Sequence, residues 1–166
     1  MKFVQSSRPL AAQQSARHPP DEPKGRPMTE AFSAETTINR PVEEVWARLV
    51  DWDDATRWMS GVEGMRAQGP TAVGTELVFT TRGKQRTSQI AAMDPGRSIT
   101  LRSVQGGVTA DYVYECEPEG GGTRVSLVAD CRMTGPIKLL GPVIRSAIRK
   151  ADGKQLDTFA ATFPPG

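Results

Sequence analysis

Between residues 108 and 133 the chain alternates with a period of two across a glycine turn, and this pattern leaves few folds open. Val108, Ala110, Tyr112, Tyr114 and Cys116 alternate with Thr109, Asp111, Val113, Glu115 and Glu117. After Glu119-Gly120-Gly121-Gly122, the residues Val125, Leu127, Ala129, Cys131 and Met133 alternate with Ser126, Val128, Asp130 and Arg132. Successive side chains of a strand point to opposite faces. The stretch is therefore a hairpin of an antiparallel sheet with one covered face and one wet face. Strand-like stretches at Val62–Gln68, Thr75–Arg82, Lys84–Met93 and Ser98–Val104 precede it, with turns at Asp94-Pro95-Gly96 and Gly106-Gly107. Thr75, Leu77 and Phe79 are assigned to the covered face, whereas Lys84–Met93 has no readable phase.

Something must cover that face. Ile144, Ile148, Ala151, Gln155 or Leu156, Phe159 and Phe163 form one stripe at helical spacing, so a single helix is expected from Pro142 to Phe163. Arg145, Arg149, Lys138 and Lys154 fall mainly on its other side. At 1.5 Å per residue such a helix spans ~33 Å, enough to cross a seven-stranded sheet. Near the N-terminus, Ala31–Arg40 reads as a strand with Phe32, Ala34, Thr36 and Ile38 on one face. Pro41 suits a first helical position, and Val42, Val45, Trp46 and Leu49 give a short amphipathic helix over Pro41–Asp51. Trp52–Trp58 is a second short helix or turn, ended by Gly61. The expected class is α+β: a curved, seven-stranded antiparallel sheet wrapped around one long C-terminal helix, with two short helices after the first strand.

Charge divides the chain in two. Five of the 21 basic and two of the 19 acidic residues lie in residues 1–28, leaving 16 basic and 17 acidic residues in 29–166. Residues 1–28, with Pro9, Pro19, Pro20, Pro23 and Pro27, are expected to be a disordered basic tail. Residues 29–166 form a single, nearly neutral domain, which argues against a nucleic-acid surface. No apolar run reaches the ~20 residues of a membrane span, and a cytoplasmic location is expected. In a hairpin whose paired residues sum to about 241, Cys116 faces residue 125 and Cys131 faces residue 110. The two thiols then stand ~20 Å apart, beyond the ~7 Å reach of a disulfide.

The chemistry on offer is narrow. The one histidine, His18, lies in the tail. Ser-His-Asp, Cys-His and HExxH arrangements are absent from the domain, and no metal or cofactor is expected. Tyr112 and Tyr114 are expected to point inward, where each phenol needs a partner and either one could orient a ligand carbonyl or donate a proton. Arg82, Arg86, Arg97 and Arg102 sit among the strands, and one turned inward would bind a carboxylate or enol. Asp130 points outward by phase.

The order of elements, carried by Ile38-Asn39-Arg40-Pro41-Val42-Glu43-Glu44-Val45-Trp46, Trp52–Trp58, Asp94-Pro95-Gly96-Arg97 and Gly121-Gly122-Thr123-Arg124-Val125, resembles the START-like helix-grip superfamily (SRPBCC). Within it the chain looks like the polyketide cyclase/dehydrase branch. Gly135-Pro136 to Gly141-Pro142 is similar to an actinobacterial subgroup, some members of which carry a toxin designation. The resemblance implies a cavity between sheet and helix that holds a lipid- or polyketide-like molecule.

Three functions follow as expectations. The first is binding of a small apolar or aromatic ligand, lined by Trp58, Met59, Met65, Leu77, Phe79, Tyr112, Tyr114, Met133, Leu140, Ile144 and Phe159. The second is a cyclase- or dehydratase-like enzyme on the same cavity, working without metal or histidine and with its catalytic residues unassigned. The third is a toxin-like interaction protein with an antitoxin-like partner, or a homodimer. Leu139, Leu140, Val143 and Ile144 would complete the cavity mouth, with the Gly-Pro break letting that lid move.

Overall fold

The computed structural model describes residues 28–165. The expected tail, residues 1–28, lies outside them except for Met28. The chain runs β1 (Thr29–Ile38), α1 (Val42–Leu49), a 3-10 turn (Trp52–Arg57), then β2 (Val62–Ala67) and β3 (Glu76–Thr81). It continues through β4 (Lys84–Asp94), β5 (Ser98–Gln105), β6 (Val108–Glu119) and β7 (Gly122–Met133). A second 3-10 segment (Gly135–Leu140), α2 (Gly141–Asp152) and α3 (Gln155–Ala161) complete it. The seven strands lie in the order β1-β7-β6-β5-β4-β3-β2, every pair antiparallel.

The hairpin register is the one the alternation implies. Cys116 pairs with Val125 and Cys131 with Ala110, and both thiols are free and buried. Pro41 stands just before α1 rather than at its first position; its extended backbone leaves its carbonyl to accept the Glu44 and Val45 amides. The unreadable phase of residues 84–93 has a local cause. A register shift between Ile90 and Ala92 inserts one extra residue, so the alternation Arg86, Ser88, Ile90 resumes one residue late. A similar shift at Ala31 in β1 buries Ala31 and Phe32 side by side.

The C-terminal helical span is present, but it is not one helix. It divides at Gly153-Lys154 into α2 and α3. Gly153 N donates to Arg149 O at 2.8 Å, and a Cβ at this position would sit 2.4 Å from the same oxygen. The division separates two packing tasks. α3 buries Gln155, Leu156 and Phe159, with Phe163 just beyond, while α2, running along β1, fully buries only Gly141. Ile144 and Ile148 are half-buried, and Ala151, expected in the inward stripe, is exposed. The two helix arginines also depart from expectation by turning toward the sheet. Arg149 donates from Nε and Nη2 to Ala31 O, at 3.1 and 3.0 Å, where the bulge in β1 presents that carbonyl. Arg145 reaches the Cys131 thiol.

The core lies under α1, the first 3-10 turn and α3. Val45, Leu49, Ala55, Trp58, Leu77, Ile90, Ile99, Leu127 and Phe159 are buried there. The Trp58 ring meets Phe159 edge-on at 4.9 Å and Tyr114 at 6.0 Å, both favourable geometries for aromatic pairs.

Candidate functional site on the inner face of the sheet

Register places the inner-face side chains in rows across the strands. Leu77, Ser88, Ser103, Ala110 and Cys131 form one row. Ile90, Leu101, Tyr112, Ala129 and Phe32 form the next. Ile99, Tyr114, Leu127 and Ala34 follow on that side. On the other side of the first row, Met65, Phe79 and Arg86 share a row across β2, β3 and β4.

The two ends of this face differ. Around Trp58 and Tyr114 the space between sheet and helices is filled. A fissure of about 140 Å³ remains among Leu49, Trp52, Trp58, Met59, Ile99, Leu101 and Tyr114, too narrow at every point for a water molecule. The open cavity expected there is thus replaced by core, because the indole of Trp58 and the ring of Phe159 occupy it. Tyr114 is buried with them, its hydroxyl donating to Gln155 Oε1 at 2.7 Å. At the other end cover is incomplete. Phe79, Arg86, Ser103, Val108, Tyr112, Ile144 and Ile148 are all half-buried.

The residues expected to line a site therefore separate into two groups. Trp58, Met59, Leu77, Tyr114 and Phe159 are core, and Met65 and Met133 are nearly so. Phe79, Tyr112 and Ile144 flank the incompletely covered region. Leu140 is 53% exposed beside Leu139 at 88% and Val143 at 66%, forming an apolar rim.

Polar groups gather in that region. Tyr112 donates to Asp152 Oδ2 at 2.7 Å across the gap to the end of α2. The Ser88 and Ser103 hydroxyls bond each other at 2.5 Å. Arg86 Nε is buried without a hydrogen-bond partner. Burial, and then the Asp152 carboxylate, hold the Tyr112 phenol well above its ordinary value, so it stays a donor. Burial also raises the Asp152 carboxyl, opposed by the hydrogen bond it accepts from Tyr112. Cys131 is raised by burial despite Arg145 beside it, and burial pushes Cys116 up to about 11. Neither thiol offers a thiolate near neutral pH. The proton-transfer capacity of the site rests on Asp152.

Of the four strand arginines singled out from the sequence, Arg86 faces inward; Arg102 instead faces outward and makes a two-point pair with Asp111, at 2.7 and 2.6 Å. Ser88, Ser103, Arg145 and Asp152 were not anticipated. The alternation around Ile90 could have disclosed Ser88 and Arg86, had the bulge at Ala91 not obscured it. Nothing in the sequence marks Asp152 as the partner of Tyr112. A surface depression of about 430 Å³ lies elsewhere, among Glu44, Ala47, Arg48, Asp51, Asp54 and Arg57. Its walls include charges already paired as Arg48–Asp54 and Arg57–Asp54, with none of the inner-face residues.

Among the described residues no group of three or more His, Cys, Asp or Glu side chains is placed to hold a metal. Among the same residues no helix is long and apolar enough to cross a membrane.

Solved structures share this architecture. TTHA0849 from Thermus thermophilus is 20% identical, with a TM-score of 0.58 over 81% of this chain and 95% of that one. Ara h 8.0201 is 18% identical, with a TM-score of 0.58 over 79% and 95%. DynU16, from the dynemicin biosynthetic locus, is 12% identical, with a TM-score of 0.60 over 78% and 45%. No curated protein matches the sequence. The fold is the helix-grip fold of START-like proteins. The profile described as "Polyketide cyclase / dehydrase and lipid transport" matches residues 29–164, nearly all of the described chain, and it is to this family that the protein belongs.

Proposed function

We propose that the protein binds a small, largely apolar molecule between α2 and the inner face of β3–β6. The carrying observation is the asymmetry of that face. It is closed by aromatic core at Trp58, Tyr114 and Phe159, yet half-covered around Phe79, Tyr112, Ile144 and Ile148, with polar groups concentrated there. Apolar walls with a few fixed polar groups are the usual composition of a ligand site. Removing about 200 Å² of apolar ligand surface from water would contribute about 5 kcal/mol before ordering costs. Tyr112, held by Asp152, would orient the guest. Admission requires α2 to swing away from the sheet, with the division at Gly153-Lys154 as its pivot.

The test is a titration with the neutral fluorophore N-phenyl-1-naphthylamine, alongside native mass spectrometry of protein taken from its own host. Micromolar binding, lost in Ile148→Glu while the thermal transition persists, is the expected result. Absence of binding by the unaltered protein, together with a clean ligand-free mass, would refute the reading.

One observation favours a cyclase- or dehydratase-like reaction on the same site. Asp152 is a carboxyl raised by burial and hydrogen-bonded to a tyrosine, a pairing suited to proton transfer at an enolisable ligand. Turnover of a poly-β-keto substrate that falls in Asp152→Asn and Tyr112→Phe would support it. Equal turnover in both variants would remove it.

A further inference from the structure

We infer that the molecule bound at this site carries an anionic oxygen, a carboxylate or enolate, and that Arg86 receives it. The inference rests on the site proposed above and names its ligand class. Arg86 projects from β4 onto the inner face opposite Phe79, two residues from Ser88. Its Nε is buried without an acceptor, and a buried donor left unpaired is costly and uncommon in a finished structure. The neighbouring charges point the same way. The inner-face residues of β3, β4, β5 and β6 include Lys84 and Arg86 but no Asp or Glu. Arg145 of α2 is engaged at Cys131 on β7, three strands from β4. The acid of α2, Asp152, is engaged by Tyr112. Of the two hydroxyls in the Ser88–Ser103 pair, one donates to the other. The acceptor's own proton remains available to a second oxygen beside Arg86.

These groups make a matched reception for an amphipathic acid. The planar guanidinium takes a carboxylate with directional, charge-assisted bonds, a serine hydroxyl adds a donor, and Phe79, Ile144 and Ile148 hold the apolar body. A neutral ligand of the same shape would leave Nε unpaired and forfeit the positive surroundings.

A matched pair of probes tests this. 8-Anilinonaphthalene-1-sulfonate and N-phenyl-1-naphthylamine share one aromatic skeleton and differ by the anionic group. The folded protein is expected to bind the sulfonate at least about tenfold more tightly, as a charge-assisted contact in a partly buried site allows. Arg86→Met should abolish that preference without weakening the neutral probe. Arg86→Lys should restore part of it, because a point charge replaces the fork. Decanoate should displace the bound neutral probe at lower concentration than decanol. A thermal scan of each variant confirms folding. Equal affinity for the two probes, or an undiminished preference in Arg86→Met, would overturn the anion inference and leave the binding site standing. Failure of both probes to bind would overturn the site itself, and the inference with it.

Discussion

Replacing Gly153 by Ala sets two effects of opposite sign against each other. In an ordinary helix interior Ala stabilises by about 1 kcal/mol relative to Gly. Here an ideal Cβ would stand 2.4 Å from Arg149 O, a backbone atom. It must retreat by more than half an ångström before the contact becomes tolerable, and the obstacle is not a flexible side chain. The carbonyl is also the acceptor of Gly153 N at 2.8 Å, so moving it away strains the bond that closes α2. Forced overpacking costs ~1–3 kcal/mol, and the weakened hydrogen bond adds ~1 kcal/mol. The net expectation is a loss of ~1–3 kcal/mol. For a domain of this size that lowers Tm by ~4–12 °C. Thermal unfolding followed by circular dichroism at 222 nm reads both Tm and helix content. A variant whose Tm rises by ~4 °C with added helical signal would show that propensity wins. The division between α2 and α3 would then owe nothing to the close approach at residue 153.

Tyr114→Phe removes the hydroxyl from a fully buried pair and leaves Gln155 Oε1 without its donor, at a cost of ~1–3 kcal/mol in urea unfolding; adding Gln155→Leu should return part of it, and a neutral single variant would refute the account. Asp152→Asn tests linkage: burial raises the Asp152 carboxyl above 3.8, so the folded state holds more protons than the unfolded chain between that value and the raised one. The contribution of Asp152 to stability therefore falls as pH rises through this window, and Asn, neutral throughout, keeps an acceptor for Tyr112. The Tm advantage of Asp152→Asn should grow from about pH 4 upward and then level off, whereas a constant difference would sink the assignment. Hydrogen exchange should be faster in α2, where only Gly141 is fully buried, than in α3, which seats Leu156 and Phe159 in the core; equal protection would count against α2 as the movable element.

Most of the sheet was legible because its signals are local. Alternation along residues 108–133, glycines at the turns and a proline before α1 act within a few residues of themselves. They yielded the strand order of one hairpin, the cysteine spacing and the inward phase of Tyr112 and Tyr114 without reference to anything distant. Family resemblance supplied the overall architecture on the same residues. The site was less legible, since it depends on what lies opposite each side chain. Arg145 and Arg149 look like a solvated helix face until the bulge at Ala31 and the thiol of Cys131 are placed beneath them.

The sequence by itself determined where the strands form and which face of β1, β3, β6 and β7 is apolar, because backbone geometry and side-chain alternation carry that information residue by residue. Only the tertiary structure decided that Trp58 and Phe159 fill one end of the inner face. It alone divided the helix at Gly153, joined Tyr112 to Asp152 and left Arg86 Nε buried and unmet. The reason is that burial and hydrogen bonding are properties of pairs far apart in the chain, and no periodicity within one segment records its partner in another.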